Sequence, residues 1–404
     1  MNILYISTLF PKADMNSTIY TDLAETLAER GHRIFVVCAN EKKFAQPTYT
    51  AQERGCTVLR VQTGNLYDVG TVEKAISQLT MTGKFAKAIK RQLSGEKIDL
   101  ILFEAPPVTM GSIVKKARKI FNAPSLLMMK DIFPQNAVDI GMLKKGSAIY
   151  RFYSREEKKL YSSASFIGCM SEANIKYIAE HNDAENCGEL ILFPNTKRIK
   201  TEIIKNPTRP LRKKYNIPRD AVVFIFGGNM GRPQGIDFLC AAADKLVDRD
   251  DIFFAFVGRG TERGIVEQYV RGHKNAVLIN NLPRDEYEAF VLECDVGIVS
   301  LDFRFTIPNY PSRILSYLEY SMPVLCATDL STDMRELVEQ SRCGFWCPSD
   351  NTDEFCRRAK ELADDIELRT AMGQNGRRLI EERFTVDKSA DIVECVAKKA
   401  NLQN

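Results

Sequence analysis

The 404-residue chain is 45% hydrophobic and 27% charged, with a formal net charge of +4, which is the make-up of a soluble globular protein too long for one core. No apolar run approaches the roughly 20 residues a membrane span needs, so an integral helical membrane protein is not expected. The 11 cysteines are scattered and odd in number, which argues against a disulfide framework and for free thiols in a reducing cytoplasm.

In chain order, "NILYIS" (2–7) reads as a first strand; it has no basic n-region and no cleavage site, so it is not a signal peptide. A helix over 17–30 ends at Gly31, and "RIFVVCA" (33–39) is the next strand. Helices over 71–94, 108–121 and 145–163 alternate with strands "IDLILFE" (98–104), "SLLMMK" (125–130) and "SFIGCMS" (165–171). The stretch 195–220 has three prolines, many charges and no clear period, and reads as a linker. Strands then recur at 221–226, 252–258, 276–280, 295–300 and 323–327, with helices at 235–247, 261–271, 284–292 and 312–320 between them, and helices dominate to the end. Short apolar runs alternating with amphipathic helices predict an α/β fold of two doubly wound, Rossmann-like parallel-sheet domains. The charge divides in the same place: residues 1–200 carry 28 Lys+Arg against 20 Asp+Glu, and 201–404 carry 28 against 32. In such sheets ligands bind beyond the carboxyl ends of the strands, so two domains with those edges facing would share a central cleft.

Two segments of the second half read as an anion site. "AVVFIFGGNMGRPQG" (221–235) runs an apolar strand into Gly227, Gly228, Asn229 and Gly231, with Arg232 next and a helix opening near Gly235. Glycine permits close approach, and a helix start offers amides and a positive dipole end; a glycine-rich first turn kept only for tight packing is an equally open reading of the first segment. "NYPSRILSYLEYSMPVL" (309–325) adds a second helix start with Ser312 and Arg313, and arginine can grip a phosphate bidentately. Two such starts suit a diphosphate. "DRD" (248–250) matches an Asp-x-Asp metal string but precedes a strand, the wrong end of a sheet for a ligand, so no metal is expected. The "GGNMGRPQG" spacing lacks the dinucleotide G-x-G-x-x-G. Asp131, after the strand 125–130, sits at a strand end where it could orient a substrate; a buried structural Asp capping the next turn is an equal reading of the same position. Lys130 and Glu104 are weaker candidates of that kind. Of three histidines, His32 follows Gly31 at a helix–strand turn and reads as structural.

These strings together resemble the retaining GT-B glycosyltransferases of family 4, and among them the bacterial surface-polysaccharide and O-antigen group that includes N-acetyl-fucosamine transferases. The resemblance rests on "GGNMGRPQGIDFLCAA" (227–242), "FVGRGTER" (256–263), "LPRDEYEAFVLECDVGIVSL" (282–301), "YPSRILSYLEYSMPVL" (310–325), "CGFWCPSDNTDEF" (343–355), "MGQNGRRLIEERFT" (372–385), "LAERGHRIFVV" (27–37) and "MKDIFPQNAVDIGML" (129–143). It implies an acceptor-binding domain over 1–200 and a nucleotide-sugar domain over 201–385, with the last helix, 386–404, packing back on the first. It implies transfer of a sugar from a nucleotide-diphosphate donor, a UDP-sugar, to an acceptor hydroxyl with retention, without metal or cofactor. The acceptor would be a saccharide or a polyprenyl-diphosphate-linked one.

On this resemblance the diphosphate falls to Gly228, Asn229, Gly231, Arg232, Ser312 and Arg313, with Asp131 in the other domain, where it could orient the acceptor or the sugar, and Leu282 flanking the base. Arg259 and Arg304 are outside candidates. The sequence also departs from the family. Its usual loop Arg and Lys align with Asn229 and Gln234, and its paired glutamates align with Pro308 and Ser316. Ser316, or Glu319 one helical turn on, would have to take the ribose hydroxyls. A UDP-sugar 2-epimerase on the same fold and a degenerate, non-catalytic sugar-nucleotide binder stay open as alternatives. Basic helices in the first half, such as "GKFAKAIKRQL" (83–93), make the anionic inner face of the cell membrane a candidate partner of a cytoplasmic protein. Nucleic acid is not expected, since no aromatic stacking pattern accompanies the charge.

Overall fold

The computed structural model describes residues 1–403 apart from 16, 68, 184–186 and 204–207. Residues 1–198 with 386–404 form one compact unit, and 199–385 form another.

The first unit contains β1 (Asn2–Ile6), α1 (Ile19–Glu29), β2 (Arg33–Glu41), β3 (Tyr49–Glu53), β4 (Cys56–Thr63), α2 (Thr71–Gln92), β5 (Leu100–Ala105), α3 (Gly111–Phe121), β6 (Ser125–Met129), α4 (Gln135–Asp139), α5 (Ala148–Tyr161), β7 (Phe166–Cys169), α6 (Glu172–His181) and β8 (Glu189–Leu192). Among the described residues its sheet has the order β3-β4-β2-β1-β5-β6-β7-β8. Strands such as β5 are buried along their whole length, as a sheet covered on both faces requires. From β1 the chain builds outward through β2, then returns to place β5 on the other side, which makes the carboxyl ends of β1 and β5 the topological switch point. α1 starts where Thr18 and Thr21 exchange side-chain-to-amide hydrogen bonds of 2.7 and 3.2 Å, a reciprocal cap.

Three strands of this sheet were not expected. β3 and β4 form an antiparallel hairpin, so the sheet is mixed rather than wholly parallel. Arg54 and Gly55 turn it at φ 54° and 73°, and Arg60 on β4 is buried against Glu53 on β3 through bonds of 2.8 and 2.6 Å. A buried ion pair removes the apolar signature by which a strand is read. β8 is four residues long and only partly buried.

The second unit contains α7 (Pro210–Lys214), β9 (Val222–Asn229), α8 (Ile236–Asp244), β10 (Ile252–Arg259), α9 (Arg263–Gly272), β11 (Ala276–Ile279), α10 (Arg284–Leu292), β12 (Val296–Ser300), α11 (Ile314–Glu319), β13 (Val324–Thr328), α12 (Met334–Ser341), β14 (Gly344–Pro348), α13 (Thr352–Asp364) and α14 (Ile366–Arg383). Among the described residues its six strands run β11-β10-β9-β12-β13-β14, all parallel. The switch point lies between β9 and β12. Phe224, Phe226, Phe254 and Phe256 are fully buried in its core. Two expectations are corrected. β14 lies in a stretch read as helical, and α7 lies in the supposed linker, where Arg212 is among the largest fully buried side chains.

The closing helix α15 (Val386–Gln403) belongs to the first unit, where Val386, Ala390, Val393 and Ala397 join the core of β1 and β2. Arg30 binds Asp387 and Asp391 at 2.9 and 2.7 Å. His32 is structural: its Nε2 lies 3.0 Å from Glu394. All 11 cysteines are free.

Candidate functional site

At the carboxyl edge of the second sheet, the glycine segment is not the loop the sequence suggests. β9 continues through Gly227, Gly228 and Asn229, with Gly228 opposite Gly258 and Asn229 opposite Arg259. The glycines answer a packing demand. A Cβ on Gly227 would lie 2.0 Å from the Tyr287 hydroxyl, and one on Gly258 would lie 2.0 Å from the Gly228 carbonyl oxygen. Four of the segment's amides are committed within the protein. Gly227 donates to the Tyr317 hydroxyl at 3.2 Å, and Met230, Gln234 and Gly235 donate to Arg259, Gly231 and Arg232 carbonyls.

Side chains add to what the backbone offers. After Gly231 a tight turn over Arg232–Gln234 carries Gln234 to Arg313, whose Nη2 hydrogen-bonds the Gln234 Oε1. The Arg313 guanidinium carbon stands 4.3 Å above the centre of the Phe226 ring, a cation–π contact. Its Nη1 is enclosed and has no hydrogen-bond partner, and among the described residues Arg313 makes no salt bridge. Burial pulls its pKa below the ordinary arginine value, while Tyr317 and Tyr287 oppose that. A Cβ built on Gly228 would meet only this guanidinium, at 4.0 Å. The Ser300 hydroxyl at the end of β12 is likewise buried and unpartnered, and it faces the start of α8 at Gly235, 3.7 Å from a Cβ built there. An enclosed cation without a counter-ion is costly, and a bound anion would offset that cost.

The other sequence candidates distribute as follows. Gly228 and Asn229 are exposed at the edge, and the Asn229 side chain makes no hydrogen bond among the described residues. Gly231 is buried. Arg232 is half-exposed, 3.8 Å from Glu262. Ser312 is exposed and Ser316 half-buried, flanking Arg313, but α11 has only six residues and contributes little dipole. Leu282 is half-buried in the loop between β11 and α10. Glu319 is corrected: it is 0% exposed, and its Oε1 accepts the Lys200 amide at 2.8 Å, so it is a structural group and not a free acceptor for ribose. Arg304 is tied to Asp302 at 2.6 Å, and Arg259 is exposed. The 248–250 string precedes β10, at the amino end of that strand.

Asp131 follows β6 in the first unit. Its two oxygens accept the Ile132 amide at 2.9 Å and the Asn136 amide group at 2.6 Å, so it caps the turn into α4. Burial raises its pKa to about 6, against those two bonds. Beside it, at the switch point of the first sheet, lies a cluster the sequence only half showed. Glu104, 3% exposed, accepts the Tyr5 and Ser7 hydroxyls at 2.5 Å each. Lys130 stands over the Phe193 ring at 5.3 Å. Burial pushes Glu104 up to about 7, against the Ser7 and Tyr5 bonds, and pulls Lys130 down to about 7, against the Glu104 charge. Tyr5 and Ser7 read as an ordinary first strand, and nothing local marks them as partners of a residue nearly 100 positions on.

This pair has a thermodynamic signature. The folded Glu104 pKa exceeds its unfolded value of 4.5, so its contribution to stability is full below about pH 4.5 and is lost as pH rises through about 7. Wild type should therefore lose on the order of 3 kcal/mol relative to Glu104→Gln between those limits. Urea unfolding of both proteins at pH 4.5 and 7.5 checks this; parallel stability curves would contradict it.

Residues 207–379 match the family model described as "Glycosyl transferases group 1". The chain is 26% identical over 308 residues to the probable glycosyltransferase WbjE of Pseudomonas aeruginosa, covering 74% of each chain. It is 22% identical over 336 residues to the putative colanic acid biosynthesis glycosyl transferase WcaI of Escherichia coli, covering 79% of this chain and 81% of that one. Among solved structures, sucrose-phosphate synthase from Thermosynechococcus elongatus superposes with TM-score 0.78 at 16% identity over 100% of both chains. Anabaena HepE in complex with UDP does so with TM-score 0.68 at 16% identity, covering 98% of this chain and 100% of that one. These neighbours establish the GT-B fold, and the segment that matches the group 1 glycosyl transferases is the one that carries Gly228, Gln234 and Arg313.

Proposed function

We propose that the chain is a retaining glycosyltransferase that moves a sugar from a nucleotide-diphosphate donor, a UDP-sugar, to an acceptor hydroxyl. The observation that carries this reading is the Arg313 guanidinium, enclosed on Phe226 without a carboxylate partner, within the segment matching the group 1 glycosyl transferases. The bond from the anomeric carbon to the diphosphate oxygen breaks. Arg313, the Gln234 and Asn229 amides and Ser312 take up the charge on the leaving group, which oriented donors do without a metal. The acceptor oxygen bonds to the same carbon on the same face, and its proton passes to the departing phosphate oxygen. The UDP named with HepE supports the choice of nucleotide.

The acceptor we assign is a lipid-linked saccharide of bacterial surface polysaccharide synthesis. The colanic acid role printed for WcaI supports it, as does the structural likeness to WaaG, a glycosyltransferase involved in lipopolysaccharide biosynthesis. We place the protein in the cytoplasm, at the inner face of the cell membrane. Among the described residues no helix is long and apolar enough to cross a membrane. On α2, Phe85 and Ile89 are buried in the protein's own core while Lys84, Lys87, Lys90 and Arg91 are exposed. Contact with an anionic leaflet would therefore be electrostatic rather than by insertion of that face, and sensitive to salt.

The test is a panel of UDP- and GDP-sugars, read by thermal shift and then by donor hydrolysis and transfer to lipid-linked acceptors. A shift with one UDP-sugar and a product of unchanged anomeric configuration is expected. Release of a free 2-epimer would replace the reading with an epimerase, and binding without turnover on any acceptor would replace it with a non-catalytic binder.

A further inference from the structure

The contact between Gln234 and Arg313 has a fixed polarity. Arginine has donors only, so the Gln234 oxygen must face Nη2 and the Gln234 NH2 group must occupy the other branch of the amide. No residue among those described accepts from that NH2. The guanidinium is held on two sides, by the Phe226 ring at 4.3 Å and by Gln234 Oε1, and the enclosed Nη1 is left over. Gln234 is itself fixed: its amide donates to the Gly231 carbonyl at 2.9 Å, and Gly235, at φ 57°, ends the turn.

From this, and resting on the reading of the site as one for a diphosphate, we propose that Gln234 is a two-ended residue of the donor site. Its oxygen aligns the Arg313 fork, and its NH2 donates to the same pyrophosphate that Arg313 Nη1 binds. The site then holds its anion with one guanidinium and neutral amide donors from Gln234 and Asn229. An ammonium at position 234 would not do this job: it has no acceptor to offer Nη2 and would place a second cation against the first. Glutamine at this position is thereby a requirement of the Arg313 geometry and not a weakened lysine.

The experiment is calorimetric titration of UDP and of inorganic pyrophosphate into wild type, Gln234→Met, Gln234→Glu and Gln234→Lys, with the apo melting temperature of each. Gln234→Met should weaken both probes about tenfold, the worth of an aligning bond and a donor. Gln234→Glu should weaken them further, by roughly 30-fold or more, because its carboxylate both neutralises Arg313 and repels the probe. Gln234→Lys should bind no better than Gln234→Met, with an apo melting temperature no higher than that of wild type. Tighter binding by Gln234→Lys than by wild type would overturn the proposal, since residue 234 would then act as a simple charge site. Unchanged binding by Gln234→Met would overturn it as well. If wild type binds neither probe, the diphosphate reading falls and this proposal with it. If Arg313→Ala abolishes binding while Gln234→Lys strengthens it, only the role of Gln234 falls.

Discussion

Arg313→Ala is expected to lower UDP affinity at least 100-fold without lowering the melting temperature of the free protein. Both halves of that expectation come from the same geometry. A charge-assisted, enclosed donor aimed at an anion contributes about 2.7–4 kcal/mol where comparable groups have been removed. In the free protein, however, Arg313 has an enclosed Nη1 with no partner and a pKa pulled down by burial. An uncompensated buried cation costs stability, so its removal leaves the empty fold as stable as before, or more so, despite the loss of the Phe226 contact. Sites kept for binding at the expense of stability behave in this way. Calorimetric titration of UDP alongside thermal melts of both proteins checks the prediction. A variant that melts several degrees lower yet binds UDP normally would make Arg313 a packing residue.

The contrast between what the chain shows in its letters and what it does not is physical. "VVFIFG" and "IFFAFVG" are legible as parallel strands because both faces are buried and the residues are correspondingly apolar throughout. The β3–β4 hairpin is illegible because its cohesion includes Arg60 paired with Glu53, which reads as two surface charges. The glycines at 227 and 228 read equally as an opening for phosphate and as tight packing. At 227 the structure shows a backbone pressed against the Tyr287 hydroxyl, a residue 60 positions on, and no local pattern names that partner. Arg313 stood out as a cation beside a turn. Its clamp of Phe226 and Gln234 is assembled from strands and turns about 80 residues away, so the sequence could name the charge but not what orients it. Asp131 was visible as an acid at a strand end, and the bonds to Ile132 and Asn136 that make it a cap are visible only in the fold.

The same limit hid Arg212, and Arg212→Ala is expected to destabilise the second unit by about 3–5 kcal/mol. The stretch around it has the charges and prolines of a linker, yet its side chain is 2% exposed. Nε donates to the Glu293 carbonyl at 2.6 Å, Nη1 to the Ala221 carbonyl at 2.7 Å, and Nη2 to Asp295 at 2.6 Å. Asp295 also accepts the Val223 amide at 2.8 Å, so the guanidinium ties α7 to the entrances of β9 and β12, the two strands that flank the switch point. Alanine would leave the Glu293, Arg219 and Ala221 carbonyls without this donor and Asp295 without its close counter-ion, with only Arg209 remaining at 3.9 Å. Unlike the Arg313 charge, this one is balanced inside the protein, so its loss is a loss of fold. The protein has a single tryptophan, Trp346 on β14, whose Nε1 donates to Thr328 at 2.9 Å, and its fluorescence reports the unfolding of this unit alone. In urea the Trp346 transition of Arg212→Ala should move to markedly lower denaturant. The double variant Arg212→Met with Asp295→Asn, which removes the stranded charge, should recover part of the loss. An unshifted transition in the single variant would show that α7 is the loose connector its composition suggests.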